Sequence, residues 1–135
     1  MSYPLTDIEG IDRDTAAALK SAGIRSTGGL LEAARTLRGR KALAEKTGLN
    51  EKLLLCWVNM ADCMRIRGIS KEYADLLHAA GVDTVRELKY RNPANLVSAM
   101  ADANKKRKMV RLLPSAKVVV RWIDHARRLP LKITY

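Results

Sequence analysis

The chain has 135 residues, 25 Lys plus Arg against 14 Asp plus Glu, a net charge of +11 and 47% apolar residues. That size and apolar content fit one globular domain and exclude a disordered polycation. No run of about 18 uncharged apolar residues is present to span a bilayer. The opening MSYPLTDIEG lacks the basic and apolar regions of a signal peptide, and two cysteines seven residues apart make no disulfide framework. A reduced, cytoplasmic protein is expected.

In chain order every strong local signal is helical. Asp12 is an N-cap residue type directly after Gly10-Ile11, Ala16, Leu19 and Ala22 form a helical stripe, and Gly23 stands where a C′ glycine stops a helix. Asn50 opens a long tryptophan helix over 51–65. Ser70, with Ala74, Leu77, Ala80 and Gly81, repeats the first pattern. Thr84 followed by Glu87 is a capping box, and Asn92-Pro93 opens another helix with proline at its first position. Ser115 opens the second tryptophan helix over 116–128, and PLKITY at 130–135 reads as an extended tail. An all-α fold of about eight short helices is expected.

The chain is also similar to itself. At an offset of 58, IEGIDRDTAAALKSAGIRSTGGL falls on IRGISKEYADLLHAAGVDTVREL with eight of 23 positions identical. At an offset of 65, Leu53, Leu54, Trp57, Val58, Ala61 and Met64 fall on Val118, Val119, Trp122, Ile123, Ala126 and Leu129. Two copies of one unit are therefore expected in a single domain, over 1–65 and 66–135, with about seven extra residues in the second near its basic run.

IEGIDRDTAAALKSAGI and IRGISKEYADLLHAAGV resemble the helix-hairpin-helix motif. Over nearly its full length the chain also looks like a bacterial family catalogued as a domain of unknown function, through WVNMADCMRIRGISKEYADLLHAAGVDTV and RNPANL. The resemblance implies two pseudo-two-fold-related helix-hairpin-helix units, in a SAM or helix-hairpin-helix-like fold. It implies no known reaction, and such modules generally bind DNA without sequence preference. The physical reason is that the hairpin glycine lets backbone approach the duplex while the next helix N-terminus aims N–H groups at a phosphate.

Charge separates the two copies. Residues 101–135 hold 10 basic and 2 acidic side chains, so +8 of the +11 lies there. Hairpin one carries Glu9, Asp12 and Asp14, which repel phosphate, and is expected only to pack. Hairpin two carries Arg65, Arg67, Gly68, Ile69, Ser70 and Lys71 and is the candidate phosphate cradle. Lys105, Lys106, Arg107, Lys108 and Arg111, then Arg121 and Arg128, complete the candidate surface. The leading expectation is non-enzymatic, sequence-independent nucleic-acid binding, with DNA favoured over RNA. The alternative is a helical protein-interaction or oligomerisation module, for which the apolar helix 51–65 argues.

No catalytic constellation, cofactor motif or metal-ligand set stands out, and no enzyme, cofactor, metal or membrane is expected. Cys56, Met60 and Cys63 read as buried soft side chains on a helix enclosed on two sides, and both tryptophans as core anchors. Hairpin one has no tryptophan helix before it, so helix 116–128 is expected beside Ile8–Ile11. It would come from the same chain or, by helix exchange, from a second copy in a homodimer.

Overall fold

A computed structural model describes residues 2–135, and Met1, where the first expected unit begins, lies outside the described residues. Among the described residues, eight α-helices follow a short 3-10 turn at Leu5–Asp7: α1 (Arg13–Ser21), α2 (Thr27–Ala34), α3 (Leu37–Thr47), α4 (Glu51–Cys63), α5 (Lys71–Ala79), α6 (Val85–Lys89), α7 (Pro93–Lys106) and α8 (Ala116–Arg128). Among the described residues there is no β-strand; one isolated antiparallel bridge joins Pro4 and Ser26.

Local chemistry starts the helices. Asp12 accepts from Thr15 N at 2.7 Å, Asn50 from Lys52 N at 2.8 Å, Asn92 from Asn95 N at 3.1 Å and Ser115 from Val118 N at 3.2 Å. Pro93 occupies the first turn of α7, where its missing N–H leaves no gap. At Thr84 the hydroxyl accepts from Glu87 N at 3.0 Å, while the Glu87 carboxylate reaches the N–H of Asp83, one residue before the cap. Ser70 sits at the N-cap of α5 but makes no side-chain capping bond.

Hydrogen bonds recur at the sequence offset. Ile11 N donates to Ile8 O at 3.1 Å and Ile69 N to Ile66 O at 3.0 Å, closing a tight turn at Gly10 and at Gly68. Ile24 N reaches Leu19 O, and Val82 N reaches Leu77 O, each at 2.9 Å beyond Gly23 and Gly81. Packing recurs too: α1 touches α3 as α5 touches α7, α2 touches α4 as α6 touches α8, and α3 touches α4 as α7 touches α8. Contacts between α4 and α6 join the two sets, and one buried cluster runs from Leu5 to Ala126.

The placement of α8 corrects a sequence expectation. It packs on α6 and α7, and its Trp122 lies on the second glycine turn; Trp57 of α4 lies on the first. Gly10 and Gly68 have φ of +95° and +94° and no side chain, so each presents bare backbone to an indole. The first glycine turn thus already has its tryptophan from α4, and needs none from α8 or from a second chain.

The tail returns to α2, α3 and α4. Thr134 N donates to Arg35 O at 2.8 Å, Arg40 Nη2 donates to Thr134 O at 2.6 Å, and Tyr135 OH bonds Asn59 Oδ1 at 3.2 Å. Lys132 pairs with Glu32. Arg40 is almost wholly buried, its other nitrogen donating to Ala34 O at 3.0 Å.

Candidate nucleic-acid interface

Around the second glycine turn, Arg67, Gly68, Ser70 and Lys71 are exposed in succession at the entry to α5. Ser70 makes no side-chain cap, and among the described residues the Lys71, Glu72 and Tyr73 N–H groups donate no hydrogen bond. The matching first turn of α1 differs, since there Asp12 occupies the Thr15 amide and adds a negative charge. That carboxyl is held below the ordinary carboxylate range, chiefly by the backbone bond from Thr15. The first turn of α5 offers donors to an anion; that of α1 offers a carboxylate.

Two proposed cradle members have other engagements. The Arg65 guanidinium bonds buried Asp62, with Nε to Oδ1 at 2.6 Å, and Nη2 also reaches Pro130 O at 3.2 Å. Burial raises the Asp62 carboxyl although Arg65 opposes the shift. Arg65 is therefore an internal ion-pair residue, and not a free phosphate ligand. Ile69 is fully buried and its N–H is closed within the turn onto Ile66 O. Its part is to fix the turn.

Behind the turn stands α8. Trp122 packs on Gly68, and its ring meets that of Tyr73 with centroids 5.3 Å apart. His125 Nδ1 accepts from Arg67 N at 3.3 Å, which requires that nitrogen to be unprotonated. Burial first, then the charges of Arg128 and Arg65, lower the His125 pKa. Arg121 and Arg128 are exposed four residues before and three after His125, on its side of α8.

The basic run at 105–111 divides. Lys106 and Arg107 rim a cleft of about 670 Å³ between the first glycine turn, α4, α5 and the end of α7, with Glu9, Asp75 and Asp83 on the same walls. Lys108 and Arg111 instead lie beside Glu72 and Tyr73 in the first turn of α5. Lys105 is exposed in the last turn of α7. The structure therefore brings Lys108 and Arg111 to the open helix start with Arg67 and Lys71, while Lys106 and Arg107 look into the cleft. Exposed Glu72 stands among the first group as the one acidic side chain in that helix turn.

The loop 107–115 is anchored at three points. Asn104 Oδ1 accepts from Met109 N at 2.8 Å and Val110 N at 3.1 Å, and its Nδ2 donates to Val110 O at 3.2 Å. Tyr73 OH donates to Leu112 O at 3.1 Å, and Val110 and Pro114 are buried. Tyr73, Asn104 and His125 were not singled out as site residues from sequence. The only signal for Tyr73 is its position in the first turn after Ser70.

Helix α4 is more open than its composition suggests. Leu53 and Cys56 are exposed and, with Met60 and Cys63, line the cleft, so Cys56 is not a core residue. Cys63 is buried and its thiol is pushed far up by burial and the neighbouring Asp62 charge. In the same cleft Asp75 Oδ1 has no hydrogen-bond partner, and burial followed by the Glu9 charge raises its carboxyl. Among the described residues no three of His, Cys, Asp and Glu cluster to hold a metal ion, and no helix is long and apolar enough to cross a membrane.

Against known families, the model described as Domain of unknown function (DUF4332) matches residues 9–129. The chain belongs to that family. The DUF4332 match runs from the first glycine turn to the end of α8, so it takes in both turns, both tryptophan helices and the anchored loop. No curated protein and no solved structure matches the chain.

Proposed function

We propose that this DUF4332 protein binds duplex nucleic acid, DNA in preference to RNA, through backbone phosphates and without sequence readout. The turn at Gly68, between α4 and α5, acts on this reading as the hairpin of a helix-hairpin-helix module. The observation that carries the reading is the uncapped first turn of α5, open at Ser70 and ringed by Arg67, Lys71, Lys108 and Arg111. Backbone N–H groups and a helix N-terminus favour an anion there, and a phosphate is the anion that every nucleotide presents alike. The turn at Gly10 has Asp12 in that position and serves packing.

Titration of duplex DNA at several salt concentrations tests the reading. Phosphate binding requires log affinity to fall linearly with log salt, with a slope that counts displaced counterions. Flat affinity across salt, or no binding at low salt, would remove it. Single-stranded DNA and duplex RNA in the same titration set the order of preference.

One observation favours the second reading, a helical protein-interaction module: exposed Leu53 and Cys56, with half-buried Met60, line the cleft on one side of α4. On that reading the protein associates through α4 and duplex binding is absent. Concentration-dependent light scattering of the wild type and of Leu53→Glu separates it from the first.

A further inference from the structure

Leu112 is 77% exposed, the largest value among the large apolar residues described. Single exposed leucines are ordinary on protein surfaces. This one differs in being held out. Val110 on one side and Pro114 on the other are buried, Asn104 fixes the backbone at Met109 and Val110, and Tyr73 grips the carbonyl of Leu112 itself. Leu113 follows it and is also exposed.

The surroundings choose the partner. Arg111 precedes Leu112, Lys108 lies on the same loop, and both adjoin the first turn of α5. A continuous row of contacts links the leucine to the glycine turn: Leu112 to the Tyr73 hydroxyl, Tyr73 to the Trp122 ring, and Trp122 to Gly68. A polyanion seated on the turn therefore meets a rigidly presented apolar side chain at its edge, flanked by cations. Apolar side chains so placed enter between base steps and partly unstack them, and the entry is easiest where stacking is already interrupted.

Resting on the phosphate-binding reading above, we infer that Leu112, supported by Leu113, is a wedge that inserts at an unstacked step, so that this protein favours interrupted duplex over intact duplex. The relevant substrate class is duplex DNA with a nick, a gap or a mismatch. Cations at Lys108 and Arg111 hold the backbone on either side while the leucine takes the space of a lost stack.

The test compares wild type with Leu112→Ser on two duplexes of equal length and charge, one intact and one with a two-nucleotide gap beside 2-aminopurine. Leu112 is exposed, so the variant keeps its fold, which circular dichroism checks. Expected for wild type is roughly tenfold tighter binding to the gapped duplex and a change in 2-aminopurine emission, as unstacking requires. Leu112→Ser loses both and keeps affinity for intact duplex within about twofold, since it removes no phosphate contact. Equal preference in wild type and variant overturns the wedge while leaving phosphate binding in place. Binding of neither duplex overturns both. Uptake by anionic phosphatidylserine vesicles that depends on Leu112, with duplex affinities unchanged, overturns the wedge in favour of a lipid surface.

Discussion

The indole nitrogen of Trp122 lies 3.1 Å from the point at which residue 68 would carry a Cβ. Trp57 stands in the same relation to residue 10, at 3.0 Å. Two demands thus meet at each glycine, a left-handed φ and an absent side chain. Gly68→Ala is expected to cost about 1–3 kcal/mol in chemical denaturation, from backbone strain together with displacement of the tryptophan. Gly23 also has positive φ, but nothing lies within 4 Å of its missing Cβ. Gly23→Ala should therefore cost less, about 1 kcal/mol from conformation alone. Equal losses at 23 and 68 would mean that the indole contact contributes nothing.

Charge reversal distinguishes the two turns. Lys71→Glu, in the first turn of α5, is expected to weaken duplex binding roughly tenfold, the scale of one charge-assisted contact. Arg13→Glu, beside Asp12 and Asp14, should change it little. Affinities of the two variants at one salt concentration, with helicity checked by circular dichroism, supply the comparison. Equal losses would show that net charge alone governs binding.

The division of the basic run gives a further outcome. Lys108→Ala and Arg111→Ala should each flatten the salt slope by about one unit, because both side chains stand at the α5 turn. Lys106→Ala and Arg107→Ala, at the cleft with Glu9 and Asp75, should flatten it less. A slope indifferent to all four substitutions would make the run a solvated connector.

His125 makes stability depend on pH. Its folded pKa lies below the ordinary histidine value of 6.5, so on acidification the unfolded chain takes up the proton first. Native stability is undiminished above that value. It declines as pH falls through the unfolded pKa, and the decline levels off once the folded ring is also protonated. Protonation at Nδ1 further breaks the bond from Arg67 N. The fall in Tm between pH 7.5 and pH 5 should be smaller in His125→Gln than in wild type, and identical falls would count against this role.

Arg40 and the tail form a coupled pair. Deleting Thr134 and Tyr135 leaves a buried guanidinium short of an acceptor, at an expected cost of about 1–3 kcal/mol. In an Arg40→Met background the same deletion should cost clearly less. A double-mutant cycle by urea denaturation measures the difference, and simple additivity would show that the contact carries no energy.

The helix starts were legible because capping is local. Asn50, Asn92, Ser115 and the Thr84–Glu87 pair each act within four residues, and each helix begins where its cap stands. Long-range partners were not. Two tryptophan helices and two glycine turns permit two pairings, and offsets of 58 and 65 cannot distinguish them, since each copy matches both ways. Only the packing decides, and it sets Trp57 on Gly10 and Trp122 on Gly68, although Trp57 is nearer in sequence to Gly68. Arg40, buried through a carbonyl far along the chain, and Cys56, exposed on an apolar helix, likewise carried no local signal. At the candidate interface the residue types at Ser70 and Lys71 were readable, whereas the engagement of Arg65 with Asp62 and Pro130 depends on the tail.

The tail also sets an order of events in folding. Arg40 receives its second acceptor from Thr134, 94 residues later, and Glu32 pairs with Lys132. On a ribosome, α1 through α4 emerge long before those partners exist. Loops of that length close late and slow the final step. The α2–α3 corner therefore lacks its Thr134 and Lys132 partners until the tail has been made.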